Sequence, residues 1–175
     1  MKFTWCLIPI LLMFSCSNDS DNVLEDDTVI ITPGIGIGAI SFNSTGSDVT
    51  TNFGDAEDIT AIRQPSGTQF VIWYYDKGLG FRLDEIEVGS ITLQEVHDMR
   101  FDLIDYSQKI YSMTILPPFK GETSDGIKLG STKNEVVQAF GDPEGEIAGA
   151  DSYNNGKFLI SYNSSSVVNR IDMLK

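Results

Sequence analysis

The sequence predicts an α+β fold: two tandem helix-plus-antiparallel-meander repeats, with the short helices on one face of an open sheet. Three observations lead there. A segment early in the chain recurs without gaps near its end. That segment carries helix start and stop signals, and the residues that follow it alternate between apolar and polar.

The recurring segment is Ala39-Ile40-Ser41-Phe42-Asn43-Ser44-Thr45-Gly46-Ser47-Asp48-Val49, matched by Gly126-Ile127-Lys128-Leu129-Gly130-Ser131-Thr132-Lys133-Asn134-Glu135-Val136. Both run at the same spacing into Phe-Gly-Asp-x-Glu, at Phe53 to Glu57 and Phe140 to Glu144. Thr132 with Glu135 is a capping box, the hydroxyl taking an orphan amide and the carboxylate reaching back; Thr45 with Asp48 is a weaker version. Val49 and Phe53, like Val136 and Phe140, lie four apart and share one helix face. Gly54 and Gly141 permit the left-handed backbone that ends a helix. Helices of two to three turns are marginal alone, so burial of the Val/Phe face must hold them.

Each helix is followed by strands. Tyr75-Asp76-Lys77-Gly78 and Tyr153-Asn154-Asn155-Gly156 are hairpin signals, and Asn155-Gly156 suits a type I′ turn. Lys109 to Leu116 parallels Val167 to Leu174. Met113, Ile115, Ile171 and Met173 fall on one face, and Ser112, Thr114, Arg170 and Asp172 on the other. The first unit is longer by a segment around Glu85 to Met99. The expected organisation is residues 36–116 for the first repeat, a linker over 117–125 with Pro117-Pro118, and 126–175 for the second.

The first fifteen residues have the layout of an export signal: Lys2, an apolar stretch from Phe3 to Phe14, and small Ser15. The stretch is shorter than the roughly 20 apolar residues a membrane helix needs. Leu11-Leu12-Met13-Phe14-Ser15-Cys16 resembles the lipobox cut by lipoprotein signal peptidase, which implies a lipidated Cys16; an ordinary signal with a chance cysteine is the alternative. With Cys6 in the signal and Cys16 acylated, no thiol remains for a disulfide or a metal site. Residues 16–35 are expected as a flexible tether, acidic through Asp19, Asp21, Glu25, Asp26 and Asp27. Ser17 after the cysteine resembles lipoproteins sent to the outer membrane of Gram-negative bacteria, and the acidic run resembles a surface-export signal.

The net charge of −13 becomes −14 when Lys2 leaves with the signal. A chain this acidic is repelled by phosphate backbones, which excludes nucleic acid as a partner.

A helix opening with Gly126, Ile127, Leu129, Gly130, Thr132, Glu135 and Val136, closing on Phe140, Gly141 and Pro143, and followed by a meander resembles the SmpA/OmlA outer-membrane lipoproteins. Tandem copies resemble the β-lactamase inhibitory protein (BLIP-like) fold, in which two such units set their sheets side by side. The resemblance covers Ala39 to Lys175. In the first copy Ala39 and Asn43 replace glycines and Ala56 replaces the proline. It implies a binding or assembly protein and carries over no catalytic residue.

The residues offer little chemistry of their own. His97 is the single histidine, so a multi-imidazole zinc site is excluded. Asp98 beside it would point away in a strand, and no nucleophile elbow accompanies it. Gly34-Ile35-Gly36-Ile37-Gly38 lacks the spacing of a phosphate-binding loop and reads as a flexible lead-in or a glycine-rich edge strand. Asp55, Glu57 and Asp58, and likewise Glu144 and Glu146, lack the ligand alternation of a calcium loop and read as solvated turns.

Aromatics are the more informative group. Trp73-Tyr74-Tyr75 puts at least one ring outward whichever face is buried, and Tyr106, Tyr111 and Tyr162 are expected on other strands. The expected function is a non-enzymatic, lipid-anchored binding or scaffolding module of the outer membrane, facing the periplasm or the cell surface. It would be held by the lipid on Cys16 and would engage an envelope protein through Trp73, Tyr75, Ser112, Thr114, Arg170 and Asp172, with no cofactor and no metal. A glycan or small-molecule binder, or a hydrolase using two facing carboxylates, are the alternatives.

Overall fold

A computed structural model describes residues 29–89 and 91–175. The export signal, Cys16 and the tether as far as residue 28 lie outside the described residues. The elements are β1 (Ile30–Thr32), β2 (Gly36–Ile37), β3 (Ile40–Ser41), α1 (Gly46–Phe53), β4 (Asp58–Arg63), β5 (Thr68–Tyr74), β6 (Leu79–Leu83), α2 (Leu93–Asp98), α3 (Arg100–Leu103), β7 (Ile110–Ile115), β8 (Glu122–Thr123), α4 (Lys133–Phe140), β9 (Gly145–Ile147), β10 (Ala150–Tyr153), β11 (Phe158–Tyr162) and β12 (Val168–Leu174). No helix of the described residues is long and apolar enough to cross a membrane.

A large open sheet dominates, with strand order β4-β5-β6-β7-β12-β11-β10-β9 and every pairing antiparallel. Its two halves meet where β7 pairs β12, Met113 opposite Met173 and Thr114 opposite Asp172. Period-two alternation then decides the faces. Ile59, Ile72, Phe81, Met113, Met173, Phe158 and Tyr153 form one row across the sheet, on the inner face. All seven are buried and belong to the single apolar core.

Both longer helices pack on this inner face. Phe53 of α1 stacks on Phe81 with centroids 5.5 Å apart and tilts against Tyr74, while Phe140 of α4 meets Phe158 edge-on at 5.6 Å and Tyr153 at 5.7 Å. Val49 and Val136, one turn earlier, are fully buried. The capping boxes form as the sequence predicts: Thr45 with Asp48 and Thr132 with Glu135 exchange both hydrogen bonds. A third, Thr92 with Glu95, starts α2 in the longer segment; its Thr-x-x-Glu pattern is equally legible in the sequence. Gly54 and Gly141 end their helices at φ of 83° and 82° but with ψ of −162° and −171°, a region open essentially to glycine alone and stricter than the left-handed helical basin expected.

Several local expectations are revised. The tether ends earlier than expected, because Val29-Ile30-Ile31-Thr32 is a β-branched run. Ile31 is buried, and β1 pairs antiparallel with β2 and parallel with β8. Within 117–125, expected as linker, Glu122–Thr123 is therefore a strand. The glycine-rich stretch supplies β2, an inner rather than an edge strand of this small sheet, with Gly34 and Gly38 at positive φ on either side. The second hairpin loop holds four residues between Tyr153 and Phe158, and Asn154, Asn155 and Gly156 all adopt positive φ, so it is not a two-residue turn. Tyr106 lies in a loop rather than on a strand, and its hydroxyl-bearing ring packs at Gly46, where a Cβ would crowd it. His97 sits exposed on helix α2 rather than on a strand.

Removing a cap hydroxyl tests the helix starts. Thr132→Ala is expected to lower unfolding free energy by about 1 kcal/mol in urea titration. Acid probes the same device from the carboxylate side. Bonds from the Thr132 and Thr45 backbone amides hold Glu135 and Asp48 below their ordinary values of 4.5 and 3.8. Their stabilising contribution is complete above those values and is lost as pH falls through the depressed folded ones. Glu135→Gln should therefore flatten the acid limb of the stability curve, measured by thermal melts between pH 6 and pH 2.

Candidate interface on the outer sheet face

The core helices α1 and α4 pack on the inner face, and the outer face carries mainly strand side chains, with Arg100 of α3 reaching Asp58 at one end of it. Val71, Ala150 and Leu159 show this: they are buried, yet they stand apart from the core.

The register places all the candidate residues on or beside this face. The central row reads Asp58, Trp73, Gly80, Thr114, Asp172, Leu159, Ser152 from β4 to β10. The next row contains Thr60, Val71, Arg82 and Ser112. Trp73 lies across Gly80 of the neighbouring strand, where a Cβ would run into the indole. Its Nε1–H donates to Thr60 Oγ1 at 2.9 Å. Tyr75, in the turn just after β5, stacks parallel on Trp73 with centroids 5.6 Å apart, and is 51% exposed.

Beside the indole, where the two halves of the sheet join, sits a polar knot. Thr114 Oγ1 donates to Asp172 Oδ1 at 2.7 Å. Arg170 grips the same carboxylate with two bonds, Nε to Oδ2 at 2.6 Å and Nη2 to Oδ1 at 2.8 Å. This bidentate pair fixes the guanidinium on a half-exposed surface. Ser112 is buried opposite Arg82 in the strand pairing, and Arg82 donates to Gln69 Oε1 and lies over the Tyr111 ring at 5.3 Å. Tyr111 joins the face because a register shift between Arg82 and Leu83 turns it out of the alternation.

Sequence reasoning missed Thr60, Gln69, Gly80 and Arg82. Thr60 and Arg82 carry a signal, since each is the polar neighbour of buried Ile59 or Phe81. Gln69 and Gly80 do not: β5 is buried on almost every residue, which erases its alternation, and Gly80 is informative only once Trp73 is known to cross it.

The carboxylate clusters have structural partners. Glu57 accepts from the Asp76 amide at 3.0 Å and Glu144 from the Asn155 amide at 2.7 Å, each bracing a hairpin. Asp58 pairs with Arg100 at 3.2 Å. Among the described residues, no three His, Cys, Asp or Glu side chains come together as a metal site. Glu57 and Asp76 stand side by side in the turn, where hydrogen bonding to Asp76 raises the Glu57 carboxyl and Glu57 lowers Asp76.

A second polar cluster lies on the inner face. Lys133, first residue of α4, pairs with Asp151 at 2.8 Å and sits 5.1 Å from the Tyr162 ring centroid. Hydrogen bonding to Asp151 raises the Lys133 pKa, and burial raises those of Tyr153 and Tyr162. Two open grooves, of about 600 Å³ along Asp125 to Ser131 with Glu135 and Gln138, and about 250 Å³ between Arg63 to Gly67 and Glu87 to Gly89, lie away from the candidate face.

Gly80→Ala tests the seating of Trp73. The new methyl should push the indole off β6 and break its bond to Thr60, at an overpacking cost of about 1–3 kcal/mol. In a Trp5→Phe background, Trp73 emission should shift to the red and quench more readily with acrylamide.

No family model matches the chain, and no curated protein matches it. Among the solved structures that are similar are the following two. A DUF4309 family protein (YjgB) from Bacillus subtilis subsp. subtilis str. 168 has a TM-score of 0.46 at 12% identity, over 81% of this chain and 88% of that one. A cysteine-rich secretory protein (SAV1118) from Staphylococcus aureus subsp. aureus Mu50 has a TM-score of 0.47 at 13% identity, over 82% of this chain. The match spans about half of that second protein, 48% of its length. At such scores neither likeness carries an argument about fold or function.

Proposed function

We propose that the chain is a lipid-anchored, non-enzymatic binding or scaffolding protein of the outer membrane, tethered through Cys16, that holds an envelope protein against the outer face of its sheet. The observation that carries this reading is the make-up of that face, where the Trp73–Tyr75 pair lies on the same side of the sheet as Arg170 clamped on Asp172. Aromatic rings, a fixed arginine and threonine hydroxyls share one side of the sheet, the mixture of anchors and hydrogen-bonding groups found at protein interfaces.

The proposal includes a tandem, BLIP-like origin for the sheet. The recurrent sequence segment supports it, and so do recurrent hydrogen bonds. Gly46 N donates to Gln108 O as Lys133 N does to Ser166 O, and Ile110 N to Ser44 O as Val168 N does to Ser131 O. Ser41 N donates to Ser44 Oγ as Lys128 N does to Ser131 Oγ. Thr45 bridges Lys109 as Thr132 bridges Val167. Under this reading Thr114 and Asp172 are equivalent positions facing each other on a pseudo-two-fold axis, which sets the Arg170 knot at the centre of the interface. A glycan-binding reading has one observation in its favour, the parallel Trp73–Tyr75 pair.

In-cell crosslinking followed by recovery of the tagged chain is the test. The intact chain should capture one discrete envelope protein. Cys16→Ala should lose it, and Trp73→Ala with Arg170→Glu should cut recovery by about tenfold or more, the scale of a hot-spot loss. Recovery unchanged by the double variant removes this face, and no specific protein in any lane removes the scaffold.

A further inference from the structure

The geometry points to the Trp73–Tyr75 pair, with Glu57, Asp58 and Asp76 beside it, as the seat of a guanidinium or ammonium group, so that the partner docks through an arginine or lysine of a basic segment. This rests on the reading of the outer face as an interface and gives that interface a chemistry.

Three observations carry it. First, the rings are parallel, interplanar angle 6°, and the outermost is half exposed, which offers a π face to a planar cation. Second, the neighbouring groups are carboxylates. Glu57 and Asp76 meet in the turn that holds Tyr75, and Asp58 is opposite Trp73 in the strand pairing. Burial first, then the charge of Asp58 and Glu57, raises the Tyr75 phenol pKa, so these carboxylates act on the ring's hydroxyl. Arg100 pairs with Asp58 and Lys77 with Asp76; Glu57 feels the Lys77 charge but forms no salt bridge among the described residues.

Third, this protein already seats cations on rings. Arg82 lies over Tyr111 at 5.3 Å, Arg100 over Phe101 at 4.9 Å and Lys133 over Tyr162 at 5.1 Å. Among the described residues, no cation of the chain itself lies over Trp73 or Tyr75. With a net charge of −13, the molecule draws basic partners and repels acidic ones at long range. A sugar would stack on the same rings but would gain nothing from that field.

The test follows the Trp73 Nε1–H resonance in the nitrogen-labelled full chain, in a Trp5→Phe background. The probes are N-acetyl-arginine methylamide, its neutral isostere N-acetyl-citrulline methylamide, and methyl β-glucoside. The arginine probe should shift the resonance saturably and more weakly as salt rises, while citrulline and the glucoside should not. Glu57→Gln keeps the oxygen that braces the Asp76 amide and removes the charge, and should weaken arginine roughly threefold to fivefold. Tyr75→Ala, in an exposed turn, should abolish the shift.

Equal shifts with citrulline, a shift with the glucoside alone, or no shift with arginine would each overturn the assignment. The interface reading is judged separately. Partner recovery that depends on Arg170 but survives Tyr75→Ala keeps the interface and sinks the cation seat. Arginine binding with no protein recovered does the reverse.

Discussion

The pairing of β7 with β12 is the constraint on which the rest depends. Four residue pairs join two four-stranded halves that are otherwise separate in sequence. At that seam Met113 faces Met173 and Ile115 faces Ile171, all without solvent exposure. The inner face becomes one continuous apolar surface only because of this junction. Helices too short to stand alone, α1 and α4, are then held by driving Phe53 and Phe140 into aromatic neighbours on either side of it. The same pairing brings Thr114 to Asp172 on the outer face. One register thus makes both the core and the polar knot, and a one-residue slip would exchange them.

The parts of the fold that obey local rules were legible in the sequence. Capping boxes at Thr45 and Thr132, terminating glycines at 54 and 141, and alternation in the 110–115 and 168–174 strands all reported on themselves. Two things were hidden for definite reasons. The small sheet depends on β8, two residues that pair in parallel with a strand some ninety residues earlier, and no local pattern announces such a partner. The insert around α2 and α3 was visible as extra length, but its packing along β4 follows from Val96 and Ile104 reaching the core.

The candidate site divides along the same line. Ser112, Thr114, Arg170 and Asp172 were assigned to one face by period two, and the register sets them there. The bonds among them were not readable, because Arg170 reaches Asp172 only on a strand whose neighbour supplies the Thr114 hydroxyl. The run Trp73-Tyr74-Tyr75 announces at least one outward ring, whereas the parallel stack of Trp73 and Tyr75 goes with the bare Gly80 beside the indole. A glycine without its own conformational demand is easy to overlook when its role is to leave room.

The place of β12 also has a consequence for how the molecule comes into being. It is the latest strand in chain order, yet it lies in the middle of the sheet, bonded to β7 on one side and β11 on the other. A growing chain can fold neither half into its final surroundings until that strand exists, since the first half would expose Met113 and Ile115 along an open edge. Assembly is therefore non-local and late, dominated by contacts between distant residues. The two halves lack their shared core until β12 has been made, and that strand is the one that closes it.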